Sequence, residues 1–319
     1  MNSSFYRIIT TLVLTLTLSA TAFAQPSPEG EPQRLISVEG ADYMNPVWSP
    51  DGTKIAFTSS RQQGLWIADA DGSDIEQITN ESAGYGFSWS SDSESILTRV
   101  SEFQNKRRKL AVKIYHTNGN EPTLLTEFRD QMPSIPKWAN YDRQVVLISD
   151  NDIESFDSGK EVSTQQKASV TKPFYVLKSN QIATGKVPEN STENISPFED
   201  AQYLNLEVSP DGRKLAFEVY GGNLFVMNID GTNLMDLGKA NRAKWSPDSQ
   251  YLVAMVAEDD GHNYTKSDLY ALSIDGEERI NLTSSTDIIA MNPDWSPQGN
   301  RIAFDSPDDG NIYILNIAN

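Results

Sequence analysis

WSPDGTKIAF, at Trp48–Phe57, decides the fold because it returns five more times along the chain. The later copies begin at Trp89 (WSSDSESILT), Trp138 (WANYDRQVVL), Val208 (VSPDGRKLAF), Trp245 (WSPDSQYLVA) and Trp295 (WSPQGNRIAF). Each reads as the end of an apolar strand, a turn, and an alternating second strand. Pro50 and Pro210 pre-set φ at the second turn position, and Gly52 and Gly212 supply the positive φ that closes such a turn. Outward from this phrase every copy continues alike. A variable loop leads to a third strand ending in a turn, as in Leu65–Gly72 (LWIADADG), Leu224–Gly231 (LFVMNIDG) and Leu269–Gly276 (LYALSIDG). Asp-Gly at such an end is a hairpin signal. A fourth strand follows, as at Ile75–Thr79, Thr123–Thr126 and Arg279–Thr283. Short strands repeating every 40–50 residues or so are the mark of a β-propeller. The expectation is an all-β propeller of six blades, four antiparallel strands in each, with the tryptophan strand innermost.

The two ends of the chain complement each other. Asn311–Asn319 is a third strand with no fourth, whereas Arg34–Ser37 (RLIS) resembles the fourth strands. The N-terminal strand is therefore expected to complete the last blade and close the ring, removing two open edges. One domain over residues 34–319 follows. The repeat is weakest between Trp138 and Val208. There Phe174–Lys178 reads as a third strand, Thr192–Ser196 as a fourth, and residues 150–172 as an insertion. A degenerate seventh blade is the alternative.

Residues 1–24 have the form of a secretory signal peptide: Arg7, a short apolar stretch, and Ala22-Phe23-Ala24 before a cleavage point at Gln25. The apolar stretch falls short of the ~20 residues of a spanning helix. With no cysteine there is neither lipid attachment through Cys nor a disulfide. The expected location is the periplasm, with secretion the alternative, and the expected mature state is monomeric and not membrane-spanning. Cleavage would remove Arg7 and no acid, leaving 25 basic against 44 acidic residues, a net charge of −19. That argues against nucleic acid, whose affinity comes mainly from neutralising phosphates.

The repeat units resemble those of the TolB-type propeller family, a WD40-like, PD40-type repeat of WSPDG, an IAF-like strand, a third strand ending in D-x-D-G and a fourth of I-x-x-L-T. Ser59–Thr79 (SSRQQGLWIADADGSDIEQIT) fits most closely. The resemblance covers nearly all of the mature chain. It implies a six-bladed, periplasmic, non-catalytic scaffold binding envelope proteins, a lipoprotein or an outer-membrane protein among them. The chain departs from TolB proper in having only a short segment, Gln25–Gln33, ahead of the first strand, where TolB carries an α/β domain.

No catalytic constellation, cofactor motif or metal motif stands out. There is no G-x-S-x-G elbow. The two histidines, His116 and His262, fall in different parts of their repeats. Counting an EF-hand from Asp69 puts Asp74 and Asn80 where glycine and glutamate are required. The expectation is a protein that is not an enzyme and takes no cofactor. A polysaccharide-binding or polysaccharide-cleaving propeller acting at the channel mouth is the alternative.

The repeat phase points to a site. Three positions before the signature residue stand Asn45, Gly86, Ile135, Asn205, Arg242 and Asn292. Asn45, Asn205, Arg242 and Asn292 at one height could ring the channel mouth and hold a peptide or carboxylate. Alternatively, each asparagine bends its incoming loop. Tyr43, Tyr85 and Tyr203 lie in the same loops and have the form of interface anchors. The tryptophans belong to blade packing, and Val208 in place of one suggests looser packing there or a larger neighbour. Lys106–Lys109 is a basic run in an acidic protein, either a solvated face or a contact for an acidic partner.

Overall fold

The computed structural model describes residues 25–318 apart from 133, 150–151, 162–171, 188 and 190. The expected signal peptide lies outside the described residues. No helix among the described residues is long and apolar enough to cross a membrane.

Seven antiparallel sheets follow one another along the chain, so the six-bladed expectation is corrected to seven. Blade 1 holds Tyr43–Trp48, Lys54–Ser59, Leu65–Asp69 and Glu76–Thr79, and blade 2 holds Ser82–Trp89, Ser95–Gln104, Arg107–His116 and Thr123–Leu124. Blades 5 and 6 have the same four-strand form, starting at Tyr203–Val208 and Asn241–Trp245. Between blades 2 and 5 the stretch read as one blade is two. Blade 3 is Lys137–Ala139, Gln144–Ser149 and Asp152–Asp157; blade 4 is Phe174–Lys178, Gln181–Gly185 and Thr192–Asn194. Phe174–Lys178 is thus a first strand, not a third, and a strand runs inside the stretch read as an insertion. Four strands per blade is corrected too, since these two blades have three among the described residues. Blade 4 escaped the repeat search because it has no tryptophan phrase and turns on two residues, Ser179 and Asn180, between Lys178 and its partner Gln181.

Blade 7 comprises Met291–Trp295, Arg301–Ser306 and Asn311–Ala318, with two N-terminal strands on the free edge of the last. Gln33–Ile36 pairs with Ile312–Ile314, and Ser27–Pro28 pairs with Ile317–Ala318. Closure by a single N-terminal strand is therefore corrected. What joins the last sheet to the first is face packing: Ala303, Ile312 and Ile314 of blade 7 are buried against Trp48, Ile55 and Phe57 of blade 1. Six further apolar clusters fill the remaining interfaces between neighbouring blades. The core is a set of seven wedges, each the meeting of two half-apolar sheet faces. The first strands of blades 4, 5, 6, 7 and 1 pack on one another in turn.

The recurring turn has a cause beyond proline and glycine. Ser49 is fully buried; its hydroxyl donates to Asp51 (2.7 Å) and accepts the Lys54 amide (2.9 Å), while Gly52 at φ 70° donates back to the Ser49 carbonyl. The same serine–aspartate clasp recurs at Ser90/Asp92, Ser209/Asp211 and Ser246/Asp248. It satisfies a buried hydroxyl and fixes the register of the first hairpin in one step.

Candidate channel-mouth site

The first strand of blades 1, 2, 5, 6 and 7 slips its register just before the signature residue, between Met44 and Val47, Tyr85 and Ser88, Leu204 and Glu207, Asn241 and Lys244, and Met291 and Asp294. The residue in each bulge has positive φ: Asn45 57°, Gly86 70°, Asn205 48°, Arg242 55° and Asn292 46°. Glycine and asparagine tolerate that conformation better than other residues. The pattern of asparagines is thus a backbone requirement, and Arg242 is the member that carries strain, on the order of 1 kcal/mol.

Bulging takes backbone amides out of the ladder, and buried acids on second strands receive them. Asp305 of blade 7 accepts the Asn45 amide of blade 1 (2.7 Å) and the Asn292 side-chain amide (3.0 Å). Glu218 of blade 5 repeats the arrangement, accepting the Arg242 amide of blade 6 (2.6 Å), the Asn205 side chain (2.8 Å) and the Asn241 side chain (3.0 Å). Both acids are only 3 % exposed. Each staples one blade to the next. Burial pushes Asp305 up to about 7, against the pull of the Asn45 amide, the Asn292 amide and the Arg242 charge.

The amides of Asn205 and Asn292 are therefore engaged within the protein. The side chain of Asn45 and the guanidinium of Arg242 make no hydrogen bond or ion pair among the described residues, and Arg242 is exposed. Of the three tyrosines, Tyr43 is buried edge-on against Phe57 (4.8 Å) and Trp66 (5.4 Å). Tyr203 is buried on Phe217, its hydroxyl accepting from the Phe198 amide and donating to the Phe198 carbonyl. Tyr85 is 44 % exposed, with the Arg99 guanidinium 4.7 Å over its ring. Tyr85 and Arg242 thus offer open surface, while Tyr43 and Tyr203 are held inside their blades.

Two residues further along the same strands lies a feature the sequence reading missed. The residue just before the signature is Lys137 in blade 3, Glu207 in blade 5, Lys244 in blade 6 and Asp294 in blade 7. Lys244 reaches Glu207 at 2.5 Å; both side chains remain about a third exposed, at 34 % and 31 %. Asp294 accepts the Trp48 amide at 2.7 Å. Burial alone would raise Glu207, but Lys244 and Lys137 outweigh it and hold the carboxyl low. Burial pushes Asp294 up to about 7 even with Lys244 close by. Alternating charge at this repeat phase is legible in the sequence, two residues after the asparagine position.

The chemistry on offer at the mouth is recognition. Arg242 supplies a guanidinium without an ion pair, Asn45 an amide without a hydrogen bond and Tyr85 an exposed ring, and no nucleophile is paired with a base among these three side chains.

No family model matches this chain, and no curated protein does. Solved structures do match. A candidate TolB from Agrobacterium tumefaciens shares 15 % identity over 88 % of this chain and 91 % of that one, with a TM-score of 0.52. The β-propeller domain of Cps50 (Swd1) from Myceliophteria thermophila shares 12 % identity over 90 % of this chain and 100 % of that one, with a TM-score of 0.62. Likeness at such low identity speaks of fold alone, and with the seven sheets it gives one conclusion: the chain is a β-propeller.

Proposed function

We propose that this protein is a non-catalytic interaction module of the cell envelope, binding a peptide segment or exposed carboxylate of another envelope protein at the channel mouth. The observation that supports the reading is Arg242. It stands in a backbone conformation where asparagine or glycine serves in four other blades, and its guanidinium makes no hydrogen bond or ion pair among the described residues. Strain retained without an internal partner is characteristic of binding sites. A guanidinium offers a carboxylate two parallel donors, worth about 1.5–3 kcal/mol where water is excluded.

Arg242→Asn separates site from scaffold. The variant keeps the bulge and relieves the strain, so its thermal midpoint is expected to hold or rise, by the equivalent of about 0.5–1 kcal/mol. Capture and crosslinking of envelope proteins from the native host should at the same time fall about tenfold for the genuine partner. Undiminished capture by a folded Arg242→Asn protein removes the mouth from consideration. If the unsubstituted protein enriches nothing, a polysaccharide-binding screen becomes the next test.

A further inference from the structure

The mouth face carries two arms. In blades 1 and 5 the second and third strands are five or six residues long, but in blade 2 both are ten and in blade 6 they are nine and ten. Their hairpins therefore run beyond the body of the ring. The face they rise from is fixed by contacts between loops: the Ser60 amide donates to the Asp42 carbonyl, Tyr220 to Gln202, and Lys109 meets Asp130 at 2.9 Å. These contacts place the loops after second strands beside the loops that lead into first strands. Both arms thus stand on the channel-mouth side.

The arms are opposite in charge. The blade 2 arm turns tightly at Asn105 and Lys106, both at positive φ, and displays Lys106, Arg107 and Arg108, all exposed and without ion pairs among the described residues. Beside them, opposite Arg108, Phe103 is 77 % exposed. The blade 6 arm displays Glu258, Asp259 and Asp260, with Tyr264, paired to Asp259, 45 % exposed. Among the described residues, the acids at its tip, Asp259 and Asp260, accept only local backbone amides, those of Gly261, His262 and Asn263. Each arm therefore has one open aromatic ring and three like charges outside any ion pair among the described residues, although Lys266 lies across the ladder from Glu258 and Asp130 lies within electrostatic reach of Arg107.

We propose that the mouth face pairs with a second copy of this chain, the basic arm of each copy lying on the acidic arm of the other, in place of the monomer expected from the sequence. Symmetry favours this occupant. Blades 2 and 6 stand nearly across the ring from each other, so one two-fold axis in the plane of the face sets blade 2 over blade 6 and blade 6 over blade 2 together. An isologous interface of this kind makes both contacts at once and closes. Phe103 and Tyr264 then leave water against the facing arm, which gives the contact an apolar component that charge alone lacks. The acidic arm supplies, on the same face and with matching reach, the chemistry that the basic arm requires.

Sedimentation equilibrium of the purified chain, from micromolar to several hundred micromolar, tests the pairing through charge exchange. The unsubstituted protein should show a concentration-dependent dimer. The Lys106→Glu/Arg107→Glu/Arg108→Glu variant has two acidic arms, and the Glu258→Lys/Asp259→Lys/Asp260→Lys variant two basic ones. Each alone should lose at least tenfold in association, and an equimolar mixture should regain it. All six positions are exposed, and unchanged thermal midpoints certify the fold of both variants. A protein that stays monomeric throughout overturns the proposal and leaves the basic arm to some other acidic protein. Variants that dimerise as the parent does overturn it as well. Arg242→Asn should leave the dimer intact, which keeps this outcome separate from that of the mouth-binding test.

Discussion

Trp89→Ala is expected to lower stability by about 3–5 kcal/mol, the range for a large aromatic removed from a core. The indole lies in the wedge between blades 1 and 2, buried with Ala56, Leu65, Phe87, Ile96 and Tyr115. Its N–H also donates across the wedge to the carbonyl of Val47, in the first strand of blade 1, at 3.0 Å. Truncation opens a cavity and leaves a buried carbonyl without its donor, and both penalties fall on the same interface. For a single domain of this size the thermal midpoint should drop by roughly 10 °C. A sharper comparison uses phenylalanine. Trp48 occupies the same repeat position, yet its buried indole N–H has no hydrogen-bond partner among the described residues. Its ring faces the Arg301 guanidinium at 4.6 Å, a contact that a phenylalanine ring retains in part. Trp48→Phe removes an unsatisfied donor, Trp89→Phe a satisfied one, so the second should be more damaging by about 1–2 kcal/mol. Equal losses in parallel melts would show that the cross-blade hydrogen bond is of no consequence.

How far the sequence could be read depended on where the chain states its geometry locally. The turn phrases are local, because Pro50, Gly52 and the Ser49–Asp51 clasp act within six residues, and they gave away the propeller. Blade 4 is specified by partners and not by any phrase. Phe174 and Val176 are buried against Val146 and Ile148 of blade 3, while Ile182 meets Tyr203 and Leu215 of blade 5. Such apolar residues look the same in any strand, so counting phrases stopped at six. The mouth was half legible. Repeat phase brought Asn45, Asn205, Arg242 and Asn292 to equivalent places, and the reading that asparagine bends its loop describes their backbones. The acids that receive the displaced amides could not be found this way. Asp305 and Glu218 each follow an apolar IAF or LAF run, but Thr58, Arg99 and Met255 hold the same place in other blades. Only the meeting of neighbouring blades shows what those two carboxylates do.

Asp305 sets the second large effect, a stability that rises as the solution is made more acidic. Its carboxyl sits at about 7 in the folded protein, held up chiefly by burial, against about 4 in an unfolded chain. The folded state therefore binds the proton more tightly across that interval. Its stabilising contribution is full below pH 4 and is lost as pH climbs towards 7. Asp294 is raised to about 7 in the same direction, although contact with channel water should moderate its share. Below the window the sign reverses. Burial of Asp92 is outweighed by Lys160 first and then by the Ser90 hydroxyl, burial of Asp211 by the Ser209 hydroxyl and the Arg213 amide, and both carboxyls lie below their ordinary value. Protonating them breaks the clasps that close the hairpins. Maximum stability should accordingly fall near pH 5, with a loss of about 2–3 kcal/mol by pH 8. The net charge of −18 pushes the same way, since self-repulsion eases as acids are protonated. Asp305→Asn tells the two causes apart. The new amide oxygen keeps the Asn45 and Asn292 donors at the Oδ1 position and gives up only the weaker 3.3 Å contact with Oδ2. The variant should match the parent near pH 5 and exceed it at pH 8. Asp305→Ala, with both donors stranded, should be weaker at every pH. Melts in which parent and Asp305→Asn keep parallel pH profiles would assign the whole effect to surface charge and place the Asp305 carboxylate, ionised, in its buried cradle at neutral pH.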